Sequence, residues 1–203
     1  MLRIGITGPI GCGKSQVARW LGERPGVVVV DADREARDVL APGTPEVEAV
    51  YALFGESLRG AGGELDRAAL GRLVFEDPAA LAALESIVHP AVRPRILAAI
   101  EGAGNGAADA VIIEAIKLVE GGLADLCDDV WLVTCEPVDQ LDRLIGRGSD
   151  TADAAVRIRA QGDLVERLRP RASWVVDTSG PPEATRRVVE GRFTETLAAH
   201  RAH

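Results

Sequence analysis

Leu2-Arg3-Ile4-Gly5-Ile6-Thr7-Gly8-Pro9-Ile10-Gly11-Cys12-Gly13-Lys14-Ser15, carried on to Asp31-Ala32-Asp33, is the stretch that decides the fold. Leu2 to Thr7 reads as a buried strand, Gly8 to Gly13 as a glycine-rich turn, and Ser15 to Glu23 has helical periodicity. Pro25-Gly26 then breaks the helix, and Val27 to Val30 is a β-branched run that fits a strand covered on both faces. A βαβ unit is therefore written into the first 33 residues. Its turn, Gly8 to Ser15, matches GxxxxGK[ST] at every required position and lies between strand and helix, the context that separates a phosphate loop from a chance match. Such a backbone curls so that its N–H groups and the helix N-terminus point at a β-phosphate. The lysine spans the β and γ groups, and the hydroxyl after it can bind Mg²⁺. The loop implies a nucleoside triphosphate site at Gly8, Gly11, Cys12, Gly13, Lys14, Ser15 and Gln16, with Ser15 as the metal ligand.

Outward from this unit, Val111 to Ile113, Val130 to Thr134 and Trp174 to Val176 are further strand-type runs separated by helical stretches. Five strands alternating with helices predict an α/β fold, a three-layer α/β/α arrangement around a parallel sheet. About 80 residues between the second and third strands exceed what one crossover needs, so a helical region is inserted there. It carries breakers at Pro42-Gly43 and Gly60 to Gly63. Pro137 to Gly146 and Asp153 to Arg169 read as two helices, and Pro182 to His200 as a closing one. Between Arg143 and Arg171 seven arginines face four acids, a locally basic stretch suited to an anion-binding flap. The expected division is a core of 1–33, 106–136 and 172–203, an inserted helical region of 34–105, and a lid of 137–171.

Composition narrows the function classes. A chain of 203 residues, 47% hydrophobic and 27% charged, is a folding globular chain with one core. No apolar run approaches the roughly 18 residues that cross a bilayer, and no leader-type region is visible, so a cytoplasmic protein without a membrane partner is expected. A net charge of -8 argues against nucleic acid as a partner. Three cysteines, Cys12, Cys127 and Cys135, form no CxxC pair and suggest no disulfide framework. Cys12 reads as a small buried filler ahead of an oxidisable switch beside the nucleotide, and Cys127 and Cys135 read as apolar packing.

Lysine occurs only at positions 14 and 117, which leaves none for the NKxD element that reads guanine. Asp31 and Asp33 end the second strand, where small kinases place a carboxylate beside the acceptor hydroxyl. Two apart on an extended chain, they would point the same way, and either could instead cap the next helix. His89 before Pro90 would on its own mark a helix end. Leu81, Leu84, Ile87 and Val88 read as a core stripe, and His200 and His203 as a fraying tail.

The phosphate loop followed by Asp31-Ala32-Asp33-Arg34-Glu35-Ala36-Arg37, Leu65-Asp66-Arg67 with Val74-Phe75, Leu84 to Pro90, Gln140 to Arg143, Arg147, Gln161 and Val176 to Gly180 resembles the dephospho-CoA kinase family in order along nearly the whole chain. The resemblance implies transfer of the γ-phosphate of ATP to the ribose 3′-hydroxyl of dephospho-CoA, with Mg²⁺. On it, Asp33 would be the general base and Lys14 the clamp on the transition state. Arg143 and Arg147, four apart on one helix face, would close over ATP. Thr7, Asp33, Arg37, His89, Lys117 and Glu120 would serve the acceptor, the inserted region being its binding region. Where the family has Pro-Leu-Leu-x-Glu, this chain has Ile116-Lys117-Leu118-Val119-Glu120, and Lys117 is expected to pair with Glu114 or Glu120. Another small P-loop kinase for a nucleotide, nucleoside or sugar acid, or an ATP-binding module without catalysis, are the alternatives.

Overall fold

The computed structural model describes residues 1–202, and of Glu76 the backbone alone; His203 lies outside the described residues. Five parallel strands, β1 (Leu2–Thr7), β2 (Val27–Asp31), β3 (Ala110–Glu114), β4 (Asp129–Thr134) and β5 (Trp174–Asp177), form one sheet in the order β2-β3-β1-β4-β5. The predicted strands are all present. β1 lies in the centre, pairing Ile4 with Ile112 on one side and with Asp129 on the other. The chain leaves β1 for β2 on one side and later crosses from β3 over β1 to β4. Ligands of such sheets bind at the carboxyl ends of the strands beside this switch, and there the phosphate loop follows Thr7.

β1 and β3 are apolar because both their faces are covered: Ile4, Ile6, Ile112 and Ile113 are fully buried. β2 departs from expectation. It is an edge strand paired only with β3, and Val28 and Val29 stay 37% and 38% exposed, so its valine run reflects β propensity more than burial. The helix α1 (Lys14–Gly22) buries Val17, Ala18 and Leu21. They join Val189 and Phe193 of α9 (Pro182–Arg201) in one core cluster with β1 and β4.

The chain forms two compact units, residues 1–31 with 100–203, and residues 32–99. The second is helical: α2 (Ala32–Val39), α3 (Pro45–Phe54), α4 (Arg67–Glu76) and most of α5 (Pro78–Asn105). Thr44 caps α3 by accepting from the Val47 amide, and Asp66 caps α4 by accepting from Ala69. Arg59 bonds Glu48 at 2.7 Å and Glu56 at 2.8 Å and stacks 3.9 Å over the Tyr51 ring, which locks the turn between α3 and α4. His89 does not end a helix. α5 runs on through Pro90 and Pro94; Ser86 and Pro90, the residues whose carbonyls those prolines leave without a partner, are exposed and reach water. Of the expected apolar stripe, Val88 is buried while Leu81, Leu84 and Ile87 are half-buried.

In the larger unit α6 spans Pro137–Ile145, and the single helix expected over 153–169 is two: α7 (Thr151–Gln161) and α8 (Leu164–Leu168), parted by Gly162 at φ 50. The cysteines also differ from expectation: Cys12 and Cys135 are joined by a disulfide across 123 residues, with their Cα atoms 5.1 Å apart. The pairing has no local sequence signal, because strand order alone brings the two positions together. Cys127 is free and half-buried, and burial pushes its thiol up to about 12. Among the described residues no helix is long and apolar enough to cross a membrane.

Candidate active site

The loop is shaped by close approach to β4. A Cβ at Gly8 would stand 2.1 Å from the Val133 carbonyl oxygen, so only glycine lets β1 turn there. Lys14, only 6% exposed, donates from Nζ to the Pro9 carbonyl at 3.0 Å and so arches back over the loop. The Ile10 peptide is held on both sides. Its N–H donates to Gln161 Oε1 at 2.9 Å and its carbonyl accepts from Gln140 Nε2 at 2.7 Å. Gln140 is nearly buried on α6 and Gln161 ends α7, so both helices after β4 brace the loop.

Ser15 Oγ donates to Glu114 Oε1 at 2.5 Å. Glu114 ends the fully buried β3 and is 6% exposed. The donor set suits the Mg²⁺ that the resemblance implies, since this hard cation is held by one or two oxygen side chains, substrate phosphates and water. Ser15 and Glu114 would hold it.

A second group of ties converges on Thr178. Its hydroxyl accepts from Arg143 Nη1 at 2.9 Å and donates to the Cys12 carbonyl at 2.7 Å, and its own carbonyl accepts from Arg143 Nη2 at 2.6 Å. Arg143 is thereby fixed against the start of α1, where it lines a cavity with Gly13, Gln16, Trp20, Arg147 and Pro182. The expectation of one helix face for the two arginines fails, because α6 ends at Ile145 and Arg147 lies beyond Gly146; it reaches the same cavity from the turn. Gln16 accepts from Arg19 through Oε1.

The residues assigned to the acceptor fall in both units. Asp33 is the second residue of α2 and not part of an extended chain, so the side-by-side reading of Asp31 and Asp33, which needs a strand, is corrected. Asp33 and His89 are half-buried and Arg37 is exposed. Arg67 Nη2 donates to the carbonyls of Arg37 at 2.7 Å and Leu40 at 3.3 Å, capping the end of α2. Arg37 lines a groove whose apolar walls include Leu40, Leu65, Leu70 and Val88. In the larger unit Thr7 is fully buried and donates to the Ile116 carbonyl at 3.1 Å, so its hydroxyl holds the turn after β3. Glu120 pairs with Arg167 at 3.9 Å, and Lys117 is half-buried in the same segment.

Comparison with known proteins gives a family model, dephospho-CoA kinase, that matches residues 2–183. The chain belongs to the dephospho-CoA kinase family. Among its relatives, a dephospho-CoA kinase of Streptomyces avermitilis is 46% identical over 205 residues, covering 100% of this chain and 97% of the relative. One from Synechococcus sp. strain CC9605 is 44% identical over 184 residues, 90% of this chain and 87% of the other. The crystal structure of TT1252 from Thermus thermophilus superposes with a TM-score of 0.77 at 36% identity, over 96% of this chain and 97% of that one.

For a dephospho-CoA kinase, the sequence reading omitted Glu114, Thr178 and Gln140 from the site. Glu114 had a usable signal, an acid closing a five-residue apolar strand that runs parallel beside β1. Thr178 and Gln140 had none beyond the family pattern, since each acts on a main-chain carbonyl far away in sequence.

Proposed function

We propose that this chain phosphorylates the ribose 3′-hydroxyl of dephospho-CoA with Mg-ATP in the cytoplasm, releasing coenzyme A and ADP. The observation that carries the reading is the Ser15–Glu114 pair at 2.5 Å next in sequence to the buried Lys14 of the loop, a donor set suited to a metal-bound triphosphate. Lys14 leaves the Pro9 carbonyl to span the β and γ groups, and the loop amides and the N-terminus of α1 hold the phosphate oxygens. Ser15 and Glu114 would hold Mg²⁺, which would supply charge neutralisation at the phosphates. Arg143 and Arg147 border the nucleotide from the lid side. Asp33 accepts the proton of the acceptor hydroxyl as its oxygen attacks the γ-phosphorus. Arg37 and His89 meet the acceptor from the helical region, with Lys117 and Glu120 beyond the end of β3.

The test is ADP release from purified protein with Mg-ATP and dephospho-CoA, with AMP, adenosine and gluconate offered separately. Release that depends on dephospho-CoA is expected. Turnover driven by AMP, adenosine or gluconate and not by dephospho-CoA would replace this reading by that of another small kinase. Tight ATP binding without turnover on any acceptor would make the chain a nucleotide-binding module.

A further inference from the structure

The Cys12–Cys135 bond joins the phosphate loop to the strand beside it. Cys12 is the fifth residue of the loop, flanked by Gly11 and Gly13, and is 1% exposed. Cys135 follows the last residue of β4 and is half-buried, the more approachable of the two. The hydrogen bonds described on this part of the loop are Thr178 to the Cys12 carbonyl, Gln140 and Gln161 to Ile10, and Cys12 N–H at 3.3 Å and Lys14 Nζ at 3.0 Å to the Pro9 carbonyl. The disulfide is the one covalent brace among them. Nothing in the fold demands it, because a 203-residue chain with a central parallel sheet has core enough without staples. Disulfides in proteins of reducing compartments are usually transient and catalytic or redox-sensing. The third cysteine is no competitor, since Cys127 lies before the first residue of β4 whereas Cys135 follows its last.

We propose that Cys12 and Cys135 form a reversible thiol–disulfide site whose oxidised state holds the phosphate loop ready for nucleotide and whose reduced state loosens it. The inference rests on the proposed function in taking this loop as the ATP site and the compartment as reducing. Oxidation is by a small-molecule disulfide. The Cys135 thiolate attacks one of its sulfurs and expels a thiolate. The Cys12 thiolate then attacks Cys135 of the mixed disulfide and expels the second. Two electrons pass from the protein to the oxidant, and the two protons end on the two released thiols. With the bond closed, Cys12 and its amide are fixed where the loop needs them. With it open, the glycines on either side let that segment relax, and binding must order it again. The expected cost is roughly a three- to tenfold loss of nucleotide affinity.

The experiment measures MgADP binding to the full chain by calorimetry in buffers of reduced and oxidised glutathione. Dephospho-CoA is omitted, because its own thiol would enter the exchange. Mass spectrometry after alkylation is expected to show Cys12 and Cys135 protected together at oxidising poise and both labelled at reducing poise, with the dissociation constant three- to tenfold higher in the reduced protein. Cys135→Ser should bind at the reduced-state affinity at every poise, and Cys127→Ser should respond like the parent. Equal affinity in the two states, a pairing that includes Cys127, or cysteines that stay open to alkylation at oxidising poise would each overturn the proposal. A redox-dependent MgADP affinity in a protein that ignores dephospho-CoA would sink the proposed substrate and leave this site standing. Turnover of dephospho-CoA with redox-invariant binding would do the reverse.

Discussion

Around the phosphate loop the ties run to main-chain carbonyls, Lys14 to Pro9, Gln140 to Ile10 and Thr178 to Cys12. In the helical unit the groove is walled by Leu40, Leu65, Leu70 and Val88, while polar ties join its segments, as where Arg67 caps α2 and Arg95 of α5 meets Glu35 of α2 at 3.5 Å. A hydrogen-bonded cradle fixes atoms to within tenths of an ångström, which a transferring phosphoryl group requires. An apolar groove fixes shape and tolerates exchange of one aliphatic side chain for another. The nucleotide end should therefore respond to single-atom changes in rate, and the helical unit in acceptor affinity.

The contrast breaks first at Asp33, which lies in the helical unit and yet is assigned to chemistry. Asp33→Asn is expected to lower kcat by about 10²- to 10⁴-fold while MgADP affinity stays unchanged. Steady-state rates together with calorimetry check this, and a kcat within threefold of the parent would remove the general-base role. Glu114→Gln comes next, at about 10- to 100-fold in activity, with a raised Mg²⁺ requirement. It is read by titrating Mg²⁺ at fixed ATP. An unchanged Mg²⁺ dependence would mean that the Ser15–Glu114 bond only shapes the end of β3.

Arg67→Ala tests the other side. The guanidinium bridges two carbonyls at the end of the helix that begins beside Asp33. Its loss should raise KM for dephospho-CoA severalfold, leave KM for ATP alone, and cost about 1 kcal/mol of stability. Arg67→Lys should recover part of the loss, because both bonds come from the single nitrogen Nη2 and one ammonium can donate to two carbonyls. Equal changes in both KM values would show that α2 is not a separate acceptor element.

The same contrast explains what was readable in the chain. Gly8 to Ser15 is contiguous and sits between a strand pattern and a helix pattern, so the loop could be read from spacing alone, even though Gly8 answers a tertiary demand, the approach of Val133. The remaining strands were readable from their apolar runs, and β2 misled only in burial, since a valine run looks alike at an edge and in a centre. What escaped depends on tertiary placement. Cys12 and Cys135 meet only because β4 lies beside β1. Arg147 leaves the helix face because α6 stops at Ile145, and α5 continues through Pro90 because residues at its lost hydrogen bonds face solvent. Asp33 was placed by resemblance, and the structure moved it from a strand end into a helix.

The smallest expected effect lies at the far end of β1. Arg3 grips Asp128 through its main-chain N–H at 2.8 Å and its guanidinium at 2.5 Å, while the Asp128 N–H donates back to the Arg3 carbonyl at 2.8 Å. Desolvation pushes the Asp128 carboxyl up, but the hydrogen bonds and charge of Arg3 outweigh it, and the carboxyl ends below its ordinary value. A carboxylate depressed in the folded state adds stability above its unfolded pKa, about 3.9. That stability is lost as pH falls through the lower folded value. Asp128→Asn should thus cost a constant amount above about pH 5, no more than about 1 kcal/mol given the exposure of the pair. Below about pH 4 the gap should close, because the parent loses the same interaction by protonation. Urea midpoints between pH 3 and 7 measure it. A gap that persists undiminished at low pH would assign the effect to the main-chain bond, which Asn keeps in altered geometry, and not to the ion pair. Nucleotide affinity should not change in either case, since this end of the strand anchors β1 while the loop at its other end is held by Gln140, Gln161 and Thr178.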